Sequence, residues 1–118
     1  MKRMLFMTNY KQQDIVLVNF GFSEETGTKK RPALIISSDN YHQSRQEIII
    51  MAITSNIKRV LFGDTKIEQW EEAGLLYPSL VTGIIRTIKD NMIVRKLGTL
   101  LPQDFQKVQK NIRKLMGL

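Results

Sequence analysis

Thr28-Lys29-Lys30-Arg31-Pro32-Ala33-Leu34-Ile35-Ile36-Ser37 is the stretch around which the rest of the chain is read. Three cations stand directly before a proline and an apolar run. Pro32 has no backbone N–H and restricts Arg31 to extended conformations, which predicts a strand over Pro32–Ser37. Arg31 then sits at the mouth of that strand, and Lys29 and Lys30 belong to the loop feeding it. Two readings of this arrangement stand side by side. Cations aimed outward from the rim of a rigid sheet suit a phosphate-bearing ligand, because the planar guanidinium fork matches phosphate oxygens. The same residues also suit the solvated tip of an ordinary hairpin.

Upstream, Asp14-Ile15-Val16-Leu17-Val18-Asn19-Phe20 is rich in β-branched residues and reads as a first strand. The polar segment from Gly21 to Lys30 links the two strands as a hairpin loop. Residues 1–12 precede any pattern and read as a loose polar lead. Downstream, Asp39–Gln46 is polar and compatible with a helical turn. Ile48-Ile49-Ile50-Met51-Ala52-Ile53-Thr54 is apolar almost throughout, as expected of a strand buried on both faces. It stops at Thr54-Ser55-Asn56. Val60–Ile67 reads as a short hairpin or edge segment around Gly63-Asp64, and Glu68–Ala73 as one or two helical turns ending at Gly74. Ser79–Ile88 and Met92–Leu100 read as two more strands joined by Lys89-Asp90-Asn91. Pro102 opens a helix with Asp104 in its first turn, where the dipole favours an anion. Phe105, Val108, Ile112 and Leu115 recur at helical spacing, and Gly117 ends the element. The expected fold is mainly β with small helices: a compact β-barrel with a C-terminal helix, in a single domain over residues 1–118.

Composition limits the chemistry. With 118 residues, 42% of them hydrophobic and 25% charged, the chain is long enough and apolar enough for a packed core. The absence of cysteine removes disulfides, thiolate chemistry and cysteine-ligated zinc. One histidine and no carboxylate cluster give no expectation of a metal or cofactor. No apolar run is long enough for a bilayer and no signal-peptide pattern follows Lys2 and Arg3, so a cytoplasmic location and no membrane partner are expected. The net charge of +7 divides into +4 over residues 1–59, −3 over 60–79 and +6 over 80–118. A basic surface with one acidic island fits a polyanion partner.

Arg31 at the entry of the second strand and Thr54 at the exit of the third face one pocket if those two strands converge. A strand-end threonine also commonly bonds local backbone, and that alternative stays open for Thr54. Arg86-Thr87 repeats the pattern of a cation emerging from an apolar strand. His42 has no partner within reach by spacing and reads as a surface histidine. Ser37, Ser38 and Ser55 have no histidine base in view, so the sequence does not support a serine-hydrolase triad. Trp70 among acidic neighbours reads as a packing anchor rather than a base-stacking platform.

The segments Asp14–Phe20, Lys30–Ser37, Ala52-Ile53-Thr54-Ser55, Trp70–Leu75 with Pro78-Ser79, Lys96-Leu97-Gly98 and the final Gly117-Leu118 occur in an order and spacing that resemble the MazF/PemK family. The similarity runs from about Gln13 to Leu118. It implies an SH3-like β-barrel and a homodimer. It also implies metal-independent, sequence-specific endoribonuclease activity on single-stranded mRNA, exerted as the toxin of a toxin–antitoxin pair with an acidic antitoxin as partner. The family's catalytic arginine falls on Arg31 and its catalytic threonine on Thr54. Thr28, Lys29, Lys30, Ser55, Asn56 and Arg86 are the residues expected to contact RNA. Two positions depart from the family pattern: Gln13 stands where a glycine precedes the first aspartate, and Gly83 where an acidic residue is common. Two other functions compete. A gyrase poison of the CcdB type shares the fold, but the presence of both Arg31 and Thr54 argues against it. A plain RNA-binding barrel would call for clustered aromatic platforms, which an aromatic content of 8% does not supply.

Overall fold

The computed structural model describes residues 10–20 and 29–118. Six strands form one antiparallel sheet: β1 Asp14–Asn19, β2 Lys30–Ile35, β3 Glu47–Thr54, β4 Thr65–Lys66, β5 Leu80–Lys89 and β6 Ile93–Thr99. Helix α1 (Asp39–Ser44) precedes β3, a 3-10 turn over Asp90–Met92 joins β5 to β6, and α2 (Pro102–Met116) ends the chain. The spatial order is β4-β5-β3-β2-β1-β6.

The run that read as doubly buried occupies the interior of this sheet. Ile48 and Ile50 of β3 pack with Val16, Val18, Ala33 and Ile35 on one face. Met51 and Ile53 pack with Ile15, Leu34, Val81, Phe105 and Val108 on the other. Neighbouring residues on each strand therefore enter different cores, as a two-residue period demands. Helix α2 covers the second of these faces through Phe105 and Val108, with Ile112 packed beside them. Register shifts lie between Met51 and Ile53 on β3 and at two points along β1. Such irregularities bend strands and increase twist, so a six-stranded sheet curls around both cores.

The expected barrel is an open one. Hydrogen bonding does not join β4 to β6, the two edges. β4 is only two residues long, and the segment after it turns away. Residues 68–74, expected to be helical, form successive turns instead. Asp104 explains their geometry: its buried carboxylate accepts hydrogen bonds from the backbone N–H groups of Glu68 (3.2 Å) and Gln69 (2.9 Å). The first-turn anion of α2 thus also caps the turns at 68–74 and pins them to the body. Gly98 of β6 meets the far end of this segment. A Cβ built there would lie 1.9 Å from the carbonyl oxygen of Ala73. Turns rather than a ladder fill the space between the sheet's edges.

Other boundaries shift for identifiable reasons. β2 begins two residues before Pro32, since Lys30 and Arg31 already pair with Asn19 and Val18 of β1. Proline is tolerated inside this strand because the ladder to β3 starts only at Ala33. The polar lead is anchored where it is described. Lys11 N–H donates to Asp14 Oδ2 (2.9 Å), and Gln12 Nε2 donates to the Ile36 carbonyl (2.8 Å). Gln13, in place of the expected glycine, adopts φ +87°, the one positive φ outside glycine among the described residues. Its backbone bonds Ile35 and Leu100, and its Nε2 donates to the Leu100 carbonyl at 2.8 Å, which offsets the conformational cost.

His42 corrects the reading of a surface histidine. It is 3% exposed, and its Nε2 lies 2.6 Å from Ser37 Oγ. Ser37 Oγ also accepts the Ile49 N–H at 2.9 Å, so the hydroxyl bridges the imidazole and the backbone of β3. Ser37 therefore does have a histidine beside it, contrary to expectation, because α1 folds back over the end of β2. The serine is itself buried, and the pair works as a clasp between α1, β2 and β3. Burial pushes the His42 pKa below its ordinary 6.5, against the opposing pull of the Asp39 carboxylate and a backbone hydrogen bond at Tyr10. The unfolded chain consequently takes up the proton first as pH falls. The clasp's contribution is intact above about pH 6.5 and is lost as pH drops from there through the depressed folded value. Urea midpoints measured from about pH 7.5 to about pH 5 are expected to fall, and His42→Gln to flatten that slope. An unchanged slope in the variant would assign the acid sensitivity to other groups.

Candidate active site

The β2–β3 register pairs Ala33 with Ala52, Leu34 with Met51 and Ile35 with Ile50. Arg31 and Thr54 lie two residues beyond the last of these pairs, at the same end of the two strands. The convergence that the sequence left conditional is thereby met. Both residues line a cavity of about 340 Å³ at this end of the sheet. Leu17, Pro32 and Ile53 supply apolar wall, and Ser55, Tyr77 and Ser79 add hydroxyls. Arg95 of β6 contributes a second guanidinium. Among the described residues that line it, none is a carboxylate. Two cations on one concavity form a site for an anion.

Each polar group is held differently. Arg31 is exposed and projects from the end of β2, where the strand pairs with β1 and the ladder to β3 begins two residues on. Thr54 Oγ1 accepts the N–H of Asn56 at 3.1 Å, so the local-backbone alternative for this threonine is realised. That bond uses an oxygen lone pair and leaves the hydroxyl hydrogen to donate, so it orients the group without consuming it. Asn56 Oδ1 accepts from the Lys58 N–H at 3.3 Å, which sets the turn leaving β3. The segment Gly74–Tyr77 forms the opposite lip, with Ser79 Oγ donating to the Tyr77 carbonyl at 2.7 Å.

The other residues expected at the site divide clearly. Ser55 lines the cavity with Arg31 and Thr54. Lys29 and Lys30 are exposed beside Arg31 but outside the lining. Asn56 lines a neighbouring cavity, of about 460 Å³, that shares Thr54 and includes Arg59, Phe62 and Gly83. Arg86 is elsewhere: it stands opposite Ile50 on β5 with its guanidinium 4.9 Å from the centroid of the Phe20 ring. Thr28 lies outside the described residues. Trp70 packs against the core, as expected of an anchor. Tyr77 and Arg95 were not picked out from the sequence. Tyr77 sits in an irregular segment and is 63% exposed, while Arg95 is one of two adjacent cations on a strand whose facing cannot be read without its partner. Among the described residues no group of three or more histidine, aspartate or glutamate side chains is placed to hold a metal. Among the same residues no helix is long and apolar enough to cross a membrane.

Comparison with known proteins bears on the fold and the family. Several solved structures share the fold. A mycobacterial endoribonuclease in complex with its cognate antitoxin superposes with a TM-score of 0.75 at 15% identity, covering 92% of this chain and 96% of the other. The Mycobacterium tuberculosis toxin MazF-mt6 gives 0.74 at 22% identity, covering 89% and 97%. A MazE–MazF complex from Deinococcus radiodurans gives 0.74 at 18% identity, covering 92% and 97%. No curated protein sequence matches the chain significantly. A family model described as PemK-like, MazF-like toxin of type II toxin-antitoxin system matches residues 11–116. With that match over nearly its whole length and the same fold in toxins of this kind, the chain belongs to the PemK/MazF-like toxin family of type II toxin–antitoxin systems.

Proposed function

We propose that the chain is a metal-independent endoribonuclease that cleaves single-stranded mRNA at preferred sequences and acts as the growth-inhibiting member of its toxin–antitoxin pair. The observation that carries this reading is the placement of Arg31 and Thr54 in one cavity whose described lining residues include a second arginine and no carboxylate. RNA brings its own nucleophile, the 2′-hydroxyl. The protein must orient that group in line with the departing 5′-oxygen and stabilise charge on the phosphorane between them. Arg31 supplies a fixed positive charge with a fork that fits two phosphate oxygens, and the Thr54 hydroxyl donates to the same group. The products are a 2′,3′-cyclic phosphate, or the 3′-phosphate derived from it, and a 5′-hydroxyl. Arg31 acts by electrostatic stabilisation, since a guanidinium holds its proton too tightly to serve as a base. The test is incubation of labelled single-stranded RNA, and of DNA of the same sequence, with the purified protein in EDTA. RNA is expected to be cut with cyclic ends while DNA stays intact. Cleavage of DNA, or RNA cleavage only on addition of a divalent metal, overturns this chemistry.

The same reading includes two protein partners. Leu61, Phe62 and Ile84 border the second cavity, and Phe62 is 74% exposed. An apolar surface of this kind suits burial against a second copy of the chain. Sedimentation is expected to give a dimer at micromolar concentration, and a fully active monomer would remove that part of the proposal. The cationic rim around Lys29, Lys30 and Arg31 suits an acidic antitoxin segment that folds on binding and occludes the cavity. Competition binding tests it: the antitoxin and RNA should exclude each other, more weakly as salt is added.

A further inference from the structure

We propose that Arg95 is a second phosphate-binding residue of this site, holding a phosphate that neighbours the one facing Arg31 along the same RNA strand. The inference rests on the ribonuclease reading above and adds to it a residue that neither sequence pattern nor spacing singled out. Leu17 of β1 stands opposite Pro32 of β2 on one side and opposite Arg95 of β6 on the other. β1 therefore separates the strand carrying Arg31 from the strand carrying Arg95, an offset of about 10 Å at ordinary strand spacing. Arg31, which stands opposite Val18, and Arg95 nevertheless line one cavity. Starting from backbones set apart by one intervening strand, the two side chains have room for a phosphate each.

The charges around Arg95 support a ligand-facing role. Its neighbour Lys96 points to the other side of the strand and is committed to Asp14, with Nζ 3.2 Å from Oδ1. That carboxylate is already occupied by the Thr99 hydroxyl and the Lys11 N–H. Among the described residues, Arg95 and Arg31 form no ion pair, and both are exposed. Like charges on one concavity repel each other, and an extended polyanion lying across Leu17 relieves that repulsion at both ends. An arginine serves here better than a lysine because its fork fixes the phosphate's orientation as well as its position.

The experiment is steady-state cleavage of a labelled single-stranded RNA by the full-length wild type, Arg95→Ala and Arg95→Lys across a range of salt. RNA affinity is measured in parallel in an Arg31→Ala background so that the strand stays uncut. Arg95→Ala is expected to raise KM and the dissociation constant about tenfold, with a much smaller fall in kcat. The slope of log affinity against log salt should become shallower by about 0.7, the value for one phosphate contact on a single strand. Arg95→Lys is expected to restore the slope while recovering only part of the affinity. Unchanged affinity and slope in a folded Arg95→Ala overturn the proposal, as does a fall in kcat alone. If Arg95→Ala fails to fold, Arg95→Lys decides: wild-type affinity in that variant counts against a fork-specific contact. Failure of the wild type itself to cut RNA would remove the parent reading, whereas a cutting wild type with an indifferent Arg95 removes only this one.

Discussion

Arg31→Ala is expected to lower the rate of RNA cleavage by about a hundredfold or more while leaving the fold intact. Removing one group that stabilises charge in a transition state typically costs about 3 kcal/mol. The loss should fall on kcat, because Arg31 meets charge that develops as the 2′-oxygen attacks. Its exposure explains why stability should survive: the guanidinium packs in neither core cluster, and the strand is held by backbone pairing that alanine preserves. Thr54→Ala should follow the same course with a smaller loss, since it removes one neutral donor. It also removes the acceptor of the Asn56 N–H, so the turn leaving β3 loosens slightly. Single-turnover kinetics together with a urea denaturation curve separates the two effects. A folded Arg31→Ala protein that cuts at the wild-type rate removes Arg31 from the chemistry.

Gly98→Ala is expected to be the most damaging small substitution for stability, at about 3 kcal/mol, the upper part of the range for forcing extra volume into a packed interior. The added Cβ would stand 1.9 Å from the Ala73 carbonyl oxygen and 2.7 Å from its carbon. Both are backbone atoms, so no rotamer change relieves the clash. The close approach is mutual, because a Cβ on Gly74 would lie 2.3 Å from the Leu97 carbonyl oxygen. Either β6 or the turns at 68–74 must move. Those turns run on into Leu75, Leu76 and Tyr77, which form the lip of the cavity, so cleavage should fall along with stability. A loss of about 10 °C in the thermal midpoint is the expected size for a domain of this length. Wild-type stability in Gly98→Ala would show that β6 and the turns can separate at little cost.

Much of this protein is set locally, and that part was readable from the residues alone. The β-branched richness of Asp14–Phe20, the apolar run of β3 and the helical spacing of Phe105, Val108 and Ile112 each specify an element through its own residues. Pro102 and Gly117 mark the ends of α2 by backbone constraints that need no partner. Arg31 was identifiable because a proline fixes the conformation beside it. What tertiary structure decided depends on which strands become neighbours and in what register. The pairing of β2 with β3 brings Arg31 and Thr54 to one cavity, and the pairing of β1 with β6 brings in Arg95. The pairing of β5 with β3 carries Arg86 away to Phe20, although its local sequence looks like that of a ligand-facing cation. His42 became buried for the same kind of reason. Nothing within its polar helix announces a partner, but the fold lays α1 over the end of β2 and supplies Ser37. The turns at 68–74 took their shape from a carboxylate more than thirty residues away. Periodicity and backbone constraints act over a few residues and determine the elements. The site is made by contacts between residues far apart in sequence, whose pairing follows from burying both faces of the sheet at once.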